Sequence, residues 1–310
     1  MNRTKGSDDV ELPREVTLRE VGTRDGIQIL GVQIPTEEKI ELIERLVDAG
    51  VRRIEATSFV HPTYVPQMAD AEAVMRSVKR QPHVSYEALV PNARGAERAL
   101  SVGVDRLVLV VAASETFNQK NVRMSLADSF SSFEEVARLA HEAHVPIKGG
   151  LATSFGCPYE GYVSEARLHQ VIQQFVDLGA DEVGLADTTG MANPRQVTTM
   201  IPPIRERWPT LHLGLHFHNT RGMGLANVLA GLQAGVTMYD ASIGGMGGCP
   251  FAPRATGNVC TEDMVHMLDE MGISSGASVT KLIECAKFTA ELVGAELPGQ
   301  VMKAGPRRSS

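Results

Sequence analysis

Residues 36–57 read TEEKIELIERLVDAGVRRIEAT, an amphipathic stretch that runs directly into a short β-branched one. The pattern predicts a helix over Thr36–Ala49 and a strand over 51–57. Between them, Gly50 followed by Val51 is typical of a helix C-cap that leads into a strand. The segment therefore forms one helix–strand unit of an α/β protein.

The same alternation continues along the chain, and glycine again ends a helix at Gly103 and Gly235. Strands are predicted at 16–21, 51–57, 84–90, 105–112, 145–152, 181–187, 211–217 and 236–243. Helices are predicted at 36–49, 65–79, 126–143, 164–178, 194–207 and 224–234, with a last one at 279–293. Eight repeats are the number in a closed (β/α)8 barrel, the TIM barrel, followed here by an additional C-terminal helix.

An open doubly wound sheet is the alternative, because periodicity does not show closure. Its usual Gly-x-Gly-x-x-Gly turn after the first strand is absent. No linker or change of composition divides the 310 residues. We therefore expect one catalytic domain over 1–310, with its core at about 16–295.

The composition excludes several functional classes. With 30 basic and 37 acidic residues the formal net charge is −7, so no broad basic face predicts a nucleic-acid or membrane partner. The longest apolar run, Leu107–Ala113, is far shorter than a membrane span. Four scattered cysteines do not form a disulfide framework. A cytoplasmic protein with reduced thiols is expected.

Polar residues follow several predicted strands at their C-terminal ends, where a barrel builds its active site. His216 and His218 are two residues apart on the seventh strand, so both imidazoles point to the same face. With Asp25, after the first strand, they form a candidate divalent-metal site for magnesium, manganese, cobalt or zinc. An isolated His-x-His is more often structural, but the strand-end position and Asp25 favour a metal site.

Three further charged residues are candidate catalytic groups at the same end of the barrel. Arg24 can form a simple ion pair with Asp25, or it can stabilise an enolate oxygen while Glu55 orients it. Asp187 either caps the following helix or acts in catalysis, and the sequence leaves both open.

A glycine-rich stretch, Gly244–Pro250, contains Cys249. Such a stretch is either a flexible surface loop or a loop that closes over a substrate and delivers the thiol as a proton donor. Cys260 and Cys285 fall in predicted helices and are expected to be inert.

Several of these motifs occur together, in order, in one known family. They are EVGTRDGIQ (20–28), EATSFV (55–60), VPQM (65–68), GCPYEG (156–161), GGMGGCPFA (244–252), ATGN (255–258) and TED (261–263). On these residues the chain resembles the 3-hydroxy-3-methylglutaryl-CoA lyases, a branch of the metal-dependent barrel lyases that also includes isopropylmalate synthases. The resemblance covers about residues 16–295.

The resemblance implies a metal-dependent retro-Claisen cleavage of a branched 3-hydroxyacyl-CoA to acetyl-CoA and a keto acid. It implies Asp25, His216, His218 and Asn258 as ligands of a divalent cation, Mg²⁺ or Mn²⁺. The catalytic residues it implies, together with the strand-end candidates above, are Arg24, Cys249, Glu55, Asp187 and His216. An acyl-CoA is then the small-molecule partner, and we expect a homo-oligomer.

Departures from the family pattern lie around the acyl pocket. Glycine stands at Gly31, Gly150 and Gly184, where lysine, tyrosine and serine are frequent. The lost side-chain volume predicts either room for a larger acyl substituent or compensation by neighbours. A Claisen-condensing acyltransferase of the same superfamily and a non-catalytic barrel scaffold are the alternative functions.

Overall fold

Eight parallel strands pair in chain order, and the last pairs with the first to close a barrel. The computed structural model describes residues 11–248 and 257–307. The strands are β1 (Thr17–Glu20), β2 (Arg53–Ser58), β3 (Ser85–Leu89), β4 (Arg106–Ala112), β5 (Ile147–Ala152), β6 (Glu182–Asp187), β7 (His212–Phe217) and β8 (Met238–Ala241). All eight predicted strands are confirmed, and the open-sheet alternative is wrong.

Helices surround the barrel and connect its strands. They are α1 (Thr36–Asp48), α2 (Ala71–Ser77), α3 (Ala93–Ser101), α4 (Glu115–Val122), α5 (Leu126–Glu142), α6 (Glu165–Asp177), α7 (Pro194–Arg207), α8 (Gly224–Gln233), α9 (Thr261–Glu270), α10 (Val279–Val293) and α11 (Val301–Ala304). None of the helices in the described ranges is long and apolar enough to cross a bilayer.

The helix predictions were incomplete in five places. The predicted helix 65–79 is a 3-10 turn at Pro66–Met68 followed by the short α2, and no range was predicted for α3, α4, α9 or α11. In α3 an internal glycine weakens the helical signal, yet the fold needs it. A Cβ at Gly95 would lie 2.8 Å from Cδ of Pro91 and 3.0 Å from the carbonyl oxygen of Phe59.

Helix α10, which follows the barrel, packs beside α1 and so covers the first helix of the barrel. The guanidinium of Arg45 in α1 stacks 4.3 Å over the ring of Phe288 in α10. At the end of α1, Gly50 has φ 103°, and a Cβ there would lie 2.3 Å from the carbonyl oxygen of Gly276. Glycine is therefore required at this helix C-terminus by conformation and by space.

The barrel interior carries charged side chains, whereas the outward-facing strand residues pack on the helices. Arg19 of β1 is fully buried and donates hydrogen bonds to Glu87, Glu182 and Asp240 at 2.5–2.8 Å. Two more cations share these carboxylates: Arg53 binds Glu87 and Glu182, and Lys148 binds Asp240. These three cations and three carboxylates, which we call the barrel-floor network, balance in charge.

Candidate metal and catalytic site

The first residues of the site lie in a π-helical turn, Gly22–Gly26, immediately after β1. This turn presents Arg24 and Asp25 at the C-terminal end of the barrel. Its glycines allow tight packing, since a Cβ at Gly22 would lie 2.6 Å from Oε1 of Glu20. Such single π turns are frequent at functional sites because they re-aim side chains out of the regular helical spacing.

His216 and His218 approach Asp25 from β7. The ring centroids of the two histidines are 5.1 Å apart, while the intervening Phe217 faces the other way and packs on Phe155 at 5.4 Å. One potential ligand atom from each of Asp25, His216 and His218 lies within 4.8 Å of the others. The three side chains therefore form a cluster that can hold one ion.

Asn258 joins this cluster through backbone pairing of distant segments. Val259 N donates to the carbonyl of Phe217 at 3.0 Å, and Asn219 N donates to that of Gly257 at 2.9 Å. This short antiparallel bridge places Asn258 opposite His218. The Asn258 amide then donates to Oδ2 of Asp25 at 2.8 Å, which leaves its oxygen available.

The donor set fits a divalent cation. Oδ1 of Asn258 and Nδ1 of His218 are buried without a hydrogen-bond partner among the described residues, a costly state that a bound ion would relieve. Burial, together with His216, lowers the pKa of His218 to about 3, so this imidazole is neutral and able to ligate. Although burial alone would raise the pKa of Asp25, Arg24 and the two histidines lower it below its usual value.

Arg24 lies between two carboxylates. Its Nε donates to Oε1 of Glu55 at 2.5 Å, and its Nη1 donates to Oδ1 of Asp25 at 2.8 Å. Gln28 donates to the same Asp25 oxygen at 2.9 Å. Arg24 is thus a buried, two-point-anchored guanidinium and not the surface ion pair of the alternative reading. One cation against two carboxylates leaves this group one negative charge, which also favours a metal cation.

Asp187 holds the turn after β6. Its Oδ1 accepts from the backbone N–H groups of Met191 and Ala192 at 2.7 and 3.0 Å, while the cap of α7 is Asn193. The prediction that Asp187 caps the following helix is therefore wrong, because Asp187 binds the turn that precedes this helix and Asn193 is the cap. Its Oδ2 is buried without a partner in the described part of the chain, and burial raises its pKa to about 7.

The described part of the glycine-rich stretch lies beside the candidate metal cluster. Gly247 has φ 117°, and a Cβ there would lie 2.3 Å from Nδ2 of Asn258 and 3.1 Å from Oδ2 of Asp25. Glycine is the residue that allows the backbone to pass this close. Cys249 lies outside the described residues. Cys285 lies within α10 as predicted, but the prediction that Cys260 lies in a helix is wrong, because it is the extended N-cap residue of α9. Both cysteines are buried, and burial raises the pKa of each thiol.

The three glycines of the expected acyl pocket do not share one space. A Cβ at Gly150 would lie 2.9 Å from Cγ2 of Val110, and one at Gly184 would lie 3.1 Å from Cε of Lys148. Neighbouring side chains therefore occupy the space at both positions, and the expectation of vacated volume is wrong there. At Gly31 nothing lies within 4 Å of the Cβ position, so this loop position is open.

Sequence reasoning missed the residues beneath the cluster, above all Asp240 and Lys148. Nδ1 of His216 lies 3.5 Å from Oδ2 of Asp240, and Nζ of Lys148 donates to the same oxygen at 2.8 Å. A signal was available, because a charged residue inside an otherwise apolar barrel strand is costly unless it is paired. Gln28 was quoted within a motif, but its contact with Asp25 was not foreseen.

Comparison with known proteins adds the family to this geometry. The HMGL-like family model matches residues 15–289. The chain belongs to the HMGL-like family. The hydroxymethylglutaryl-CoA lyase YngG of Bacillus subtilis (strain 168) is 42% identical over 288 residues, 93% of this chain and 96% of that protein.

Two further HMGL-like relatives extend the comparison. The mitochondrial hydroxymethylglutaryl-CoA lyase of Homo sapiens is 39% identical over 293 residues, 94% of this chain and 90% of that one. An HMG-CoA lyase from "Acenitobacter baumannii", solved in complex with coenzyme A and 3-methylmalate, superposes with a TM-score of 0.92. It is 42% identical, over 96% of this chain and 97% of that chain. The barrel fold and the resemblance to the lyases are thereby confirmed.

Proposed function

We propose that this chain is a carbon–carbon lyase that cleaves 3-hydroxy-3-methylglutaryl-CoA to acetyl-CoA and a keto acid. One observation carries the proposal. Within a chain of the HMGL-like family, the Asp25, His216 and His218 cluster adjoins the buried Arg24–Glu55 pair at the C-terminal end of the barrel. Hydroxymethylglutaryl-CoA lyases at about 40% identity over nearly the full length support the same reaction.

Asp25, His216, His218 and Asn258 would hold the divalent cation, Mg²⁺ or Mn²⁺. When bound, that ion supplies Lewis-acid polarisation, which lowers the pKa of the substrate's tertiary alcohol. Its donors combine imidazole nitrogen with carboxylate and amide oxygen, a mixture that several divalent metals accept.

The protein's own groups provide the remaining chemistry. Asp187, on β6 beside the strand β7 that carries His216, takes up the proton of the alcohol, while His216 acts through the cation that it would help to hold. Arg24, oriented by Glu55, donates hydrogen bonds to the thioester oxygen on which charge develops as the carbon–carbon bond breaks. Cys249 returns a proton to the departing enolate carbon, which gives acetyl-CoA.

The test is release of acetyl-CoA from 3-hydroxy-3-methylglutaryl-CoA by chelator-treated protein, before and after addition of Mg²⁺ or Mn²⁺. We expect metal-dependent release. A Claisen-condensing acyltransferase would instead liberate free coenzyme A from acetyl-CoA plus a keto acid, and a scaffold would do neither while remaining folded. Either result would contradict the proposal.

Four expectations from the sequence stay predictions. One catalytic domain is tested by a single unfolding transition, and a homo-oligomer by light scattering of the purified protein. A coenzyme A thioester as substrate is tested by competition with free coenzyme A. A cytoplasmic location is tested by cell fractionation.

A further inference from the structure

The strand register places Asp240 beside His216. In the pairing of β7 with β8, His216 is the direct neighbour of Asp240. In parallel strands, directly paired residues project to the same face of the sheet, here the barrel interior. Oδ2 of Asp240 is 3.5 Å from Nδ1 of His216, and Asp240 is buried at 6% exposure.

Asp240 is itself held from two sides by buried cations. Nζ of Lys148, which crosses from β5, donates to Oδ2 at 2.8 Å, and Nη1 of Arg19 donates to Oδ1 at 2.8 Å. Lys148 lies over Gly184, 3.1 Å from the Cβ position there, so a side chain at 184 would displace it. The carboxylate that faces His216 is thus locked by its partners.

We propose that Asp240 is the positioning residue of the metal site: it keeps the Nδ1 of His216 protonated and leaves Nε2 for the cation, while Lys148 holds Asp240 in place. Imidazole rings that bind metals commonly donate their second N–H to a carboxylate, which sets the tautomer and the ring orientation. The proposal rests on the metal site of the proposed function but not on the substrate or the reaction.

A charge-matched pair of substitutions tests this role. Asp240→Asn combined with Lys148→Met removes one acid and one cation, so the barrel-floor network stays balanced. Arg19 continues to donate to the oxygen at position 240, which turns the amide nitrogen toward His216. That nitrogen is a donor, so it favours the opposite tautomer with the proton on Nε2, the atom that the cation needs.

The matched control is Glu182→Gln combined with Arg53→Met. These residues form an ion pair at 2.8 Å in the same network, and Glu182 also accepts from Arg19. Both pairs remove one acid and one cation from the barrel floor. Only the first changes the group that faces His216.

Two readouts that need no turnover are measured. One is the affinity of the chelator-treated protein for Mn²⁺ by calorimetry, and the other is the ¹⁵N signature of the His216 tautomer in the metal-free protein. We expect the Asp240 pair to weaken Mn²⁺ binding 10- to 100-fold and to shift the tautomer. The control pair should leave the Mn²⁺ affinity and the His216 tautomer unchanged, even if both double variants unfold at a lower temperature than the native protein.

Equal losses of affinity in the two pairs, or an unchanged affinity in the Asp240 pair, would overturn the proposal. If the Asp240 pair does not fold, Asp240→Glu replaces it, because it keeps the charge but moves the oxygens. We expect about 10-fold weaker Mn²⁺ binding there, and native affinity would overturn the proposal equally. Failure of the proposed function is a separate outcome, because the unsubstituted protein would then release no acetyl-CoA. The Mn²⁺ affinity and the His216 tautomer can still be measured and compared in that case.

Discussion

The amide of Asn258 donates to the carboxylate of Asp25 at 2.8 Å, although the two residues are 233 positions apart in the chain. The contact uses the donor of Asn258 and leaves its acceptor without a partner in the described ranges. Asp25 is anchored at the same time by Arg24 and Gln28 on its other oxygen. This shared anchoring would arrange the proposed oxygen ligands, Asp25 and Asn258, before an ion arrives, which lowers the cost of ordering them on binding.

Loss of a metal ligand should remove metal binding and turnover together. His218→Ala and Asp25→Ala each delete one member of the three-residue cluster. We expect no stoichiometric metal in either purified variant and no acetyl-CoA release, with a native circular dichroism spectrum. His212→Ala, at the exposed start of the same strand, is the control and should bind a full equivalent. Full metal occupancy in the two test variants would exclude this ligand assignment.

Cys249→Ser should separate binding from proton donation. We expect the variant to retain metal and substrate but to lose 10²- to 10⁴-fold in kcat, roughly the contribution of a positioned proton donor. The structure shows which of the two buried cysteines, Cys260 or Cys285, is the better control. A Cβ at Gly245 would lie 2.5 Å from Sγ of Cys260, so Cys260 contacts the glycine-rich stretch, whereas Cys285 lies in α10. Cys285→Ser is the cleaner control, and comparable losses in both variants would remove the special role of Cys249.

Replacing Arg24 by lysine tests the two-point anchoring. A lysine keeps the charge but offers a single nitrogen, so it cannot bind Glu55 and Asp25 with the same geometry. We expect kcat at saturating metal to fall by about 10²-fold, together with weaker metal binding because Asp25 loses one of its anchors. Arg98→Lys is the matched control, since Arg98 also makes a two-point contact, with Glu72, away from the site. Similar kcat values for Arg24→Lys and the native protein would refute the catalytic role.

Gly247→Ala should damage the metal site from the backbone. The added Cβ meets the Asn258 amide at 2.3 Å, and the residue's φ of 117° disfavours any side chain. We expect weaker metal binding in calorimetry. We also expect kcat to fall by at least about 10-fold, which corresponds to roughly 1.4 kcal/mol of lost transition-state stabilisation. Gly179→Ala, at φ 82° with nothing within 4 Å, carries a left-handed backbone without the clash. It should lose stability but keep metal affinity.

Glu262 should make stability depend on pH. Burial raises its pKa to about 8 from an ordinary 4.5, so the folded protein holds a proton that the unfolded chain releases. The free energy of unfolding therefore falls as pH rises from about 5 to 8, by at most ~1.4 kcal/mol per pH unit, and levels off above 8. Glu262→Gln cannot ionise and should lack this slope.

The measurement is urea unfolding of the native protein and the variant at pH 5.5, 7 and 8.5. As pH rises, the free energy of unfolding of Glu262→Gln should increase steadily relative to that of the native protein. Exposed Glu291→Gln is the control and should follow the native protein throughout. Parallel curves for native protein and Glu262→Gln would show that Glu262 ionises normally in the fold.

The sequence by itself determined the strands, the order of the repeats and the strand ends that carry polar groups. These follow from local rules: alternation within a strand, glycine at a helix end and the face shared by His216 and His218. Family motifs added Asn258, which no local pattern connects with Asp25. The missed helices show the limit of such rules, because the weak helical signal of α3 is offset by packing at Gly95.

Only the tertiary structure decided which side chains meet across the barrel. The contact of Asp240 with His216 depends on the register of β7 with β8, and the Lys148 contact depends on a long side chain that crosses the interior. The same crossing fills the space at Gly184, so the residue types there did not reveal the pocket volume. Register, closure and the paths of long side chains are set by the packing of the whole barrel, and no short stretch of sequence contains them.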